Sequence, residues 1–303
     1  MSKRWFYRAL CVCVAGLLAA GASADDWVRI GSWNIEHLGN RSFGQHEKAL
    51  AEHIRLAGPD ILALQEIYDN DENDDTRTNT RLDQVFNILN GDPGQDWDYV
   101  LFANKQTNDK SQLCGLAWNK KRVSKVGNGL RINVVDDNDE FFLWDRHPHA
   151  VKFSLGASKT DIVVIALHMK ANTSDFAAEQ REVEAEKLVG QLDAVKAHFD
   201  DNENDDDVEQ DIVLIGDTNC KKAGERSLLI FEDAGFKDLN AADRTTFVSG
   251  DAPFDRALVP EEQTEFRFSR QYVLISCDAE EHEKYLSDHH MILVPVRIEP
   301  DDD

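Results

Sequence analysis

The chain has 303 residues, of which 33 are Lys or Arg and 57 are Asp or Glu, for a formal charge of −24. With 42% apolar and 30% charged residues it can build a sizeable core, and it carries too many charges for a polytopic membrane protein. The acid excess also excludes the broad basic surface through which nucleic-acid binders usually gain affinity by counterion release, so a polyanionic ligand has to be met by local chemistry.

Residues 1–24 read as an export signal. Lys3, Arg4 and Arg8 make a basic start, Ala9 to Ala20 an apolar stretch, and Ala22-Ser23-Ala24 a small-residue cleavage pattern. The stretch is shorter than the roughly 20 residues of a bilayer span, and Cys11 and Cys13 lie inside it, which disfavours a lipoprotein. The expectation is a protein exported to the periplasm or the medium, with no membrane anchor after cleavage and no stable protein partner implied. Cleavage removes three basic residues and no acid, which deepens the charge from −24 to −27. Residues 25–303 contain no Pro/Gly/Ser linker and no repeat, and read as a single domain. Of their cysteines, Cys114, Cys220 and Cys277, one pair could close, and the sequence does not say which.

In chain order, short β-type runs are predicted at Trp27–Trp33, Ile61–Leu64, Tyr99–Phe102, Gly115–Trp118, Ala150–Phe153, Ile162–Leu167, Ile212–Ile215, Thr245–Val248, Ala257–Val259, Tyr272–Ile275 and Met291–Val296. Helical spacing runs through Ala49, Leu50, Ile54 and Leu56 to a stop at Gly58-Pro59, then over Asp175–Phe199, and over Leu228–Ala234. Many strands with few helices between them predict two packed sheets covered by helices, an α+β sandwich, over a doubly wound parallel sheet. Four acidic stretches, Asp69–Asp75, Asp136–Glu140, Asp200–Asp207 and Asp301–Asp303, read as solvated loops. A structural Ca²⁺ in one of them is the lesser alternative, because the EF-hand glycine is missing.

Five strands end in, or start from, polar clusters: Trp33-Asn34, Leu64-Gln65-Glu66, Leu167-His168, Ile215-Gly216-Asp217-Thr218-Asn219 and Ser287-Asp288-His289-His290. Strand ends are where a rigid sheet can hold side chains to the tolerance that chemistry requires. Taken in order, SWNIE, LQE, DRHPHAVKF, ALH, GDTN, FDRALV and SDHH resemble the endonuclease/exonuclease/phosphatase superfamily, which includes DNase I-like nucleases, bacterial sphingomyelinases and inositol polyphosphate phosphatases. The resemblance runs from about Trp27 to Val296. It implies a four-layer α/β/β/α sandwich of two mostly antiparallel sheets, DNase I-like, which is sharper than the strand count alone.

Phosphodiester cleavage needs an activated water, charge stabilisation on the phosphoryl oxygens and help for the leaving oxygen. By resemblance, Glu66 holds Mg²⁺ or Mn²⁺, a hard-carboxylate role, with Asn34 and Asp288 close to the same ion. His289 is the general base and Asp255 holds its imidazole in one tautomer. His168 donates to the phosphate or leaving group, Asp217 handles a proton or metal, and Asn219 and Arg146 contact phosphate oxygens.

Departures from the family bear on the substrate. Tyr68 stands where the pancreatic DNase-like branch has a minor-groove arginine, and Ala103 where that branch has a glutamate for its first histidine. The region before SDHH, Cys277–Leu286, is dominated by acids, unlike the aromatic hairpin of sphingomyelinases. Phe141–Trp144 reads as a strand leading into Arg146, and Lys105–Gln112 as a solvated loop. The expected function is a secreted, divalent-metal-dependent phosphodiesterase of DNase I-like type with nucleic acid as substrate. The alternatives are a phosphodiesterase or phosphatase on lipid or small phosphate esters, or a binding module that kept the fold.

Overall fold

A computed structural model describes residues 26–40, 44–70, 77–104, 110–134, 144–157, 159–200 and 209–300. Its first half runs β1 (Trp27–Leu38), α1 (Glu47–Ala57), β2 (Ile61–Ile67), α2 (Thr80–Asn90), β3 (Trp97–Leu101), β4 (Leu113–Asn119), β5 (Ser124–Arg131) and β6 (His149–Ser154). The second half runs β7 (Asp161–His168), α3 (Asp175–Val189), α4 (Leu192–Phe199), β8 (Ile212–Asp217), α5 (Arg226–Asp233), β9 (Phe236–Asp238), β10 (Asp255–Pro260), β11 (Tyr272–Val273), α6 (Ala279–Tyr285) and β12 (Ile292–Arg297). Among the described residues no helix is long and apolar enough to cross a membrane.

The strands form two six-stranded sheets, ordered β11-β12-β1-β2-β4-β3 and β5-β6-β7-β8-β10-β9. Each holds one parallel pair, β1/β2 in the first and β7/β8 in the second, and its other neighbours are antiparallel. Three apolar clusters correspond to three interfaces. One lies between the sheets and includes Ile30, Ile61, Leu116, Phe153, Val164, Ile215 and Val294. A second packs α3, α4 and α5 on one outer face, and a third packs α1 and α2 on the other. This is the four-layer α/β/β/α sandwich. The central strands carry continuous apolar runs, ILAL, IVVIAL and IVLIG, because both of their faces are covered.

Where the structure departs from the predicted elements, the cause is local. β5 was not predicted because SKVGNGLR is an edge strand with two glycines and little buried surface. α6 lacks an apolar stripe, burying only His282, and depends on the Asp278 side chain accepting the Glu281 N–H. The single helix expected over Asp175–Phe199 is two helices, broken at Gly190-Gln191. Thr245–Val248 is not a strand: Phe247 makes only isolated bridges, to Ala252 and His289. Of the aromatic run, Phe141–Leu143 lies outside the described residues, and Trp144 is a fully buried turn residue instead of a strand residue.

Most of the acidic stretches, 71–75, 136–140, 201–207 and 301–303, also fall outside the described residues, as does 105–109 of the lysine-bearing loop. Asp69 is not solvated; it is buried, with Arg77 Nη1 at 3.1 Å and the Thr78 N–H donating at 3.2 Å. Cys114, Cys220 and Cys277 are all free thiols, the first two in different apolar clusters.

Candidate active site

The sheet register gathers the motif residues. His168 on β7 is the partner of Asp217 on the parallel strand β8, and Asp217 is the partner of Asp255 on the antiparallel strand β10. Three chemically active side chains thus occupy one row across three adjacent strands. In the other sheet Asn34 pairs with Gln65, and a register shift just beyond turns Glu66 toward the same place. Gly216 is required for this arrangement: a Cβ there would lie 2.0 Å from the Leu167 carbonyl oxygen.

Asn34 joins the two sheets. Its Nδ2 donates to Glu66 Oε1 and to Asp217 Oδ2, each at 3.1 Å. His168 Nε2 stands 3.7 Å from the same two oxygens, while its Nδ1 is buried without a partner. Burial, then Arg146, His289 and His37, hold His168 well below the ordinary imidazole range, so it is neutral at physiological pH. His289 Nδ1 lies 2.8 Å from Asp255 Oδ2, and its Nε2 faces Asp217 Oδ2 at 3.9 Å and Asp288 Oδ1 at 4.0 Å. Burial disfavours the imidazolium, yet Asp255, Asp217 and Asp288 together push His289 up to about 10. Burial also pushes Asp217 up to about 7, with Asp255 and Glu66 adding and His289 opposing.

The His289 loop is laced to β1. Trp33 Nε1 donates to the His289 carbonyl at 2.9 Å, Ser287 Oγ donates to the Asn34 carbonyl at 2.6 Å, and the His289 N–H donates to Ser287 Oγ at 3.1 Å. Asp255 is fixed through its backbone: its N–H donates to Thr246 Oγ1 at 2.9 Å, and its carbonyl accepts from Gln271 Nε2 at 2.9 Å.

The remaining predicted residues are also here, with some donors already engaged. Asn219 sits at φ 54, a conformation asparagine tolerates; its N–H donates to Asp217 Oδ1 at 2.9 Å and its Nδ2 to the Met169 carbonyl at 3.1 Å. Arg146 is buried beneath the end of β7, donating from Nε to the His168 carbonyl at 3.3 Å and from Nη2 to the Met169 carbonyl at 2.7 Å. Only Nη1 points elsewhere, 3.4 Å from Gln112 Oε1. The guanidinium therefore braces His168 and Met169. Tyr68 lies with its ring edge against His37, and Ala103 is half-buried.

Sequence reasoning missed four neighbours of the site. Glu36, the acid of SWNIE, is driven up to about 7 by burial and then by Asp288 and Glu66, which places it among their carboxylates. His37 Nδ1 stands 3.3 Å from Glu66 Oε2. Glu36, His37 and Glu66 all have positive φ, 28°, 54° and 60°, the type of backbone strain that clusters at functional sites. Phe247 and Phe254, both half-buried, flank His289 with ring centroids 5.1 and 6.4 Å away.

Among the described residues no three His, Cys, Asp or Glu side chains already converge as a closed ligand set. The donors fit Mg²⁺ nonetheless, since that ion binds through one or two carboxylates and keeps several waters. Glu36 and Asp288 are both raised by burial, with Glu66 adding to each, so these carboxylates crowd one pocket that a hard cation would relieve.

A profile of the Endonuclease/Exonuclease/phosphatase family matches residues 31–289. No curated protein sequence matches the chain. Solved structures with this fold include the endonuclease/exonuclease/phosphatase of Bacteroides vulgatus, 14% identical with TM-score 0.65, covering 90% of this chain and 99% of that one. The human Nocturnin catalytic domain with bound sulfate anion is 17% identical with TM-score 0.61, covering 90% and 95%. Truncated Caenorhabditis elegans TDP2 is 16% identical with TM-score 0.58, covering 89% and 98%. At these identities the likeness is one of fold, while the profile spans most of the chain: the chain belongs to the Endonuclease/Exonuclease/phosphatase family.

Proposed function

We propose that this chain is a divalent-metal-dependent phosphodiesterase that hydrolyses nucleic acid. The observation that carries the reading is the His289–Asp255 pair, whose free Nε2 faces the pocket lined by Asp217, Glu66 and Asn34. Glu66, with Asp288, Glu36 and the Asn34 oxygen nearby, would hold Mg²⁺ or Mn²⁺, which when bound supplies positive charge to the phosphoryl oxygens and offsets the carboxylates that keep His289 protonated. Neutral His289, donating its Nδ1–H to Asp255, presents the Nε2 lone pair to water. Neutral His168 presents Nε2–H to a phosphoryl or leaving oxygen, and Asn219 has a second amide hydrogen for the same use. Asp217, raised toward neutrality by burial, can carry a proton at Oδ2. Arg146 holds the β7 end in place and lends its charge to the pocket.

Lipid as substrate is disfavoured by α6, which presents exposed Glu280, Glu281 and Glu283 where a membrane-entering aromatic hairpin would be needed. Export rests on the pattern of residues 1–24, and the N-terminal sequence of protein recovered outside the cytoplasm tests it, with Asp25 expected as the first residue.

The test of function is a panel of supercoiled plasmid, single-stranded oligonucleotide, sphingomyelin and p-nitrophenyl phosphate in Mg²⁺ or Mn²⁺. Cleavage of nucleic acid that is abolished by His289→Ala is expected. Hydrolysis of sphingomyelin or the monoester without nucleic-acid cleavage overturns the reading.

A further inference from the structure

Beyond the reacting centre, the acidity of the chain is unevenly distributed. Two segments leave the ends of the parallel strands β7 and β8, residues 169–174 (MKANTS) and 218–224 (TNCKKAG). In a chain with 57 acids, these segments contain Lys170, Lys221 and Lys222 and no acid at all. They run side by side: Asn219 Nδ2 donates to the Met169 carbonyl at 3.1 Å, and Lys221 Nζ to the Thr173 carbonyl at 3.3 Å. Lys221 and Lys222 are exposed and Lys170 half-buried. From below, Arg181 fixes the first segment by donating to the Lys170 and Asn172 carbonyls at 2.9 and 2.8 Å.

Of the neighbouring acids Glu225 and Asp145 are engaged, and Asp175 is exposed. Glu225 takes up Arg181 and the Lys221 N–H, and Asp145 stands 3.3 Å from Lys170 Nζ. Just past Asp175, which follows the first segment, Phe176 in the opening turn of α3 is 59% exposed, one of five large apolar side chains left to solvent among the described residues. Lysines and an exposed aromatic ring a few residues along the same chain segment are the two parts of a site for an unpaired strand, cations for the phosphates and a ring on which a base stacks.

We propose that these two segments form a track for a single nucleic-acid strand, along which phosphates flanking the scissile one meet Lys170, Lys221 and Lys222 and an unpaired base stacks on Phe176. The track starts at the reacting centre, because Lys170 and Lys221 each lie two residues beyond His168 and Asn219. It rests on the phosphodiesterase reading and narrows its substrate to unpaired polymeric nucleic acid.

The test uses the full chain in Mg²⁺, with His289→Ala as the non-cleaving background for binding. Fluorescence anisotropy of a single-stranded oligonucleotide of about 12 nucleotides is compared with duplex and with phosphatidylglycerol vesicles. Substituting the three lysines together with Gln should weaken single-strand binding about 10-fold or more and flatten the log Kd against log salt slope by about 2, near 0.7 per lost phosphate contact. Phe176→Ala should cost roughly 5-fold or more, the lower end for loss of one stacked base. In the otherwise wild-type background, turnover of bis(p-nitrophenyl) phosphate, which is too small to reach the track, should stay within about 2-fold in these variants. The proposal falls if affinity and slope are unchanged, if the small diester suffers equally, or if vesicles bind and oligonucleotides do not. Hydrolysis of the small diester by the wild type checks the phosphodiesterase reading separately, so a failed track and a failed active site are distinguishable.

Discussion

His289 Nδ1 meets Asp255 Oδ2 at 2.8 Å across 34 residues of sequence, and the bond is almost completely shielded from solvent, Asp255 being 0% and His289 5% exposed. A buried imidazole–carboxylate pair of this kind fixes the tautomer and sustains the charge that forms when the ring takes a proton. Asp255→Asn should keep the packing and lose that control. The expected outcome is a fall in kcat of roughly 10²- to 10⁴-fold, similar to His289→Ala. Because the carboxylate is among the groups that raise His289, the acid limb of the rate profile should also move to lower pH. Steady-state kinetics from pH 5 to 9 check both, and a variant with unchanged rate and profile would remove His289 from the role of base.

Glu66 shares its Oε1 with Asn34 and has Oε2 within reach of His37. Glu66→Gln keeps the shape and removes the charge a divalent ion needs. In the wild type, Mg²⁺ or Mn²⁺ at about 100 times Kd should stabilise the fold by about 2.7 kcal/mol, read as a rise in Tm. The rise should be absent from Glu66→Gln and reversed in the wild type by a chelator. An equal rise in both proteins would place the ion elsewhere.

Why the active row was legible and much of its frame was not follows from the residues involved. His168 and Asp217 close apolar runs and Asp255 opens one, so register delivers them together once those runs pair. Their supports depend on contacts between distant segments. Trp33 reads as a core residue, and its Nε1 bond to His289 is invisible in sequence. Glu36 was visible in SWNIE but needed the Asn34–Leu38 register shift to turn inward. α2 could have been found, since Asn79 caps it and Leu82, Val85, Phe86 and Leu89 make a helical stripe. α3 was legible from its start at Asp175 although Gln180, Arg181 and Glu184 lie on its buried face, whereas its end at Gly190 was not. The assumption that Arg146 is free to clamp phosphate failed to account for its use on the His168 and Met169 carbonyls.

Beneath the SDHH loop, His53 and His282 are packed with ring centroids 5.4 Å apart, and His282 Nδ1 lies 2.6 Å from the Ser287 carbonyl. Burial, then His290, hold His282 down to about 4, and His53 falls well below the ordinary range for the same cause. A histidine lowered in the folded state binds its proton more readily when unfolded. Its contribution is therefore intact above pH 6.5 and is lost as pH falls toward 4. For His282 this is on the order of 3 kcal/mol. Raised carboxylates elsewhere act in the opposite direction, so the difference between wild type and variant is the informative quantity. Urea denaturation of His282→Asn between pH 7 and 4.5 should show a shallower acid-side loss than the wild type; parallel curves would count against this origin.

Glu184 on α3 holds the other side of the site. Its Oε1 accepts the Trp144 N–H at 3.1 Å, its Oε2 the Lys170 N–H at 2.8 Å, and its backbone carbonyl the Trp144 indole N–H at 2.9 Å. One residue thus ties the segment before Arg146 to the segment after His168. Burial pushes the carboxyl up to about 7, against those two N–H donors and the nearby Arg146 and Lys170. An acid raised on folding favours the protonated form, so its stabilising share is present below pH 4.5 and is lost as pH rises through 7. Glu184→Gln removes that titration and leaves one of the two N–H groups facing an amide donor, at a cost of about 1–3 kcal/mol. Between pH 5 and 8 the variant's stability should fall less steeply than the wild type's. Because the tie positions Arg146 and His168 instead of touching substrate, kcat should drop several-fold with His168 displaced, while metal binding at Glu66 is retained. Denaturation curves at several pH values, steady-state kinetics and metal titration check the three outcomes in turn. Loss of metal binding would mean that Glu184 supports the whole pocket.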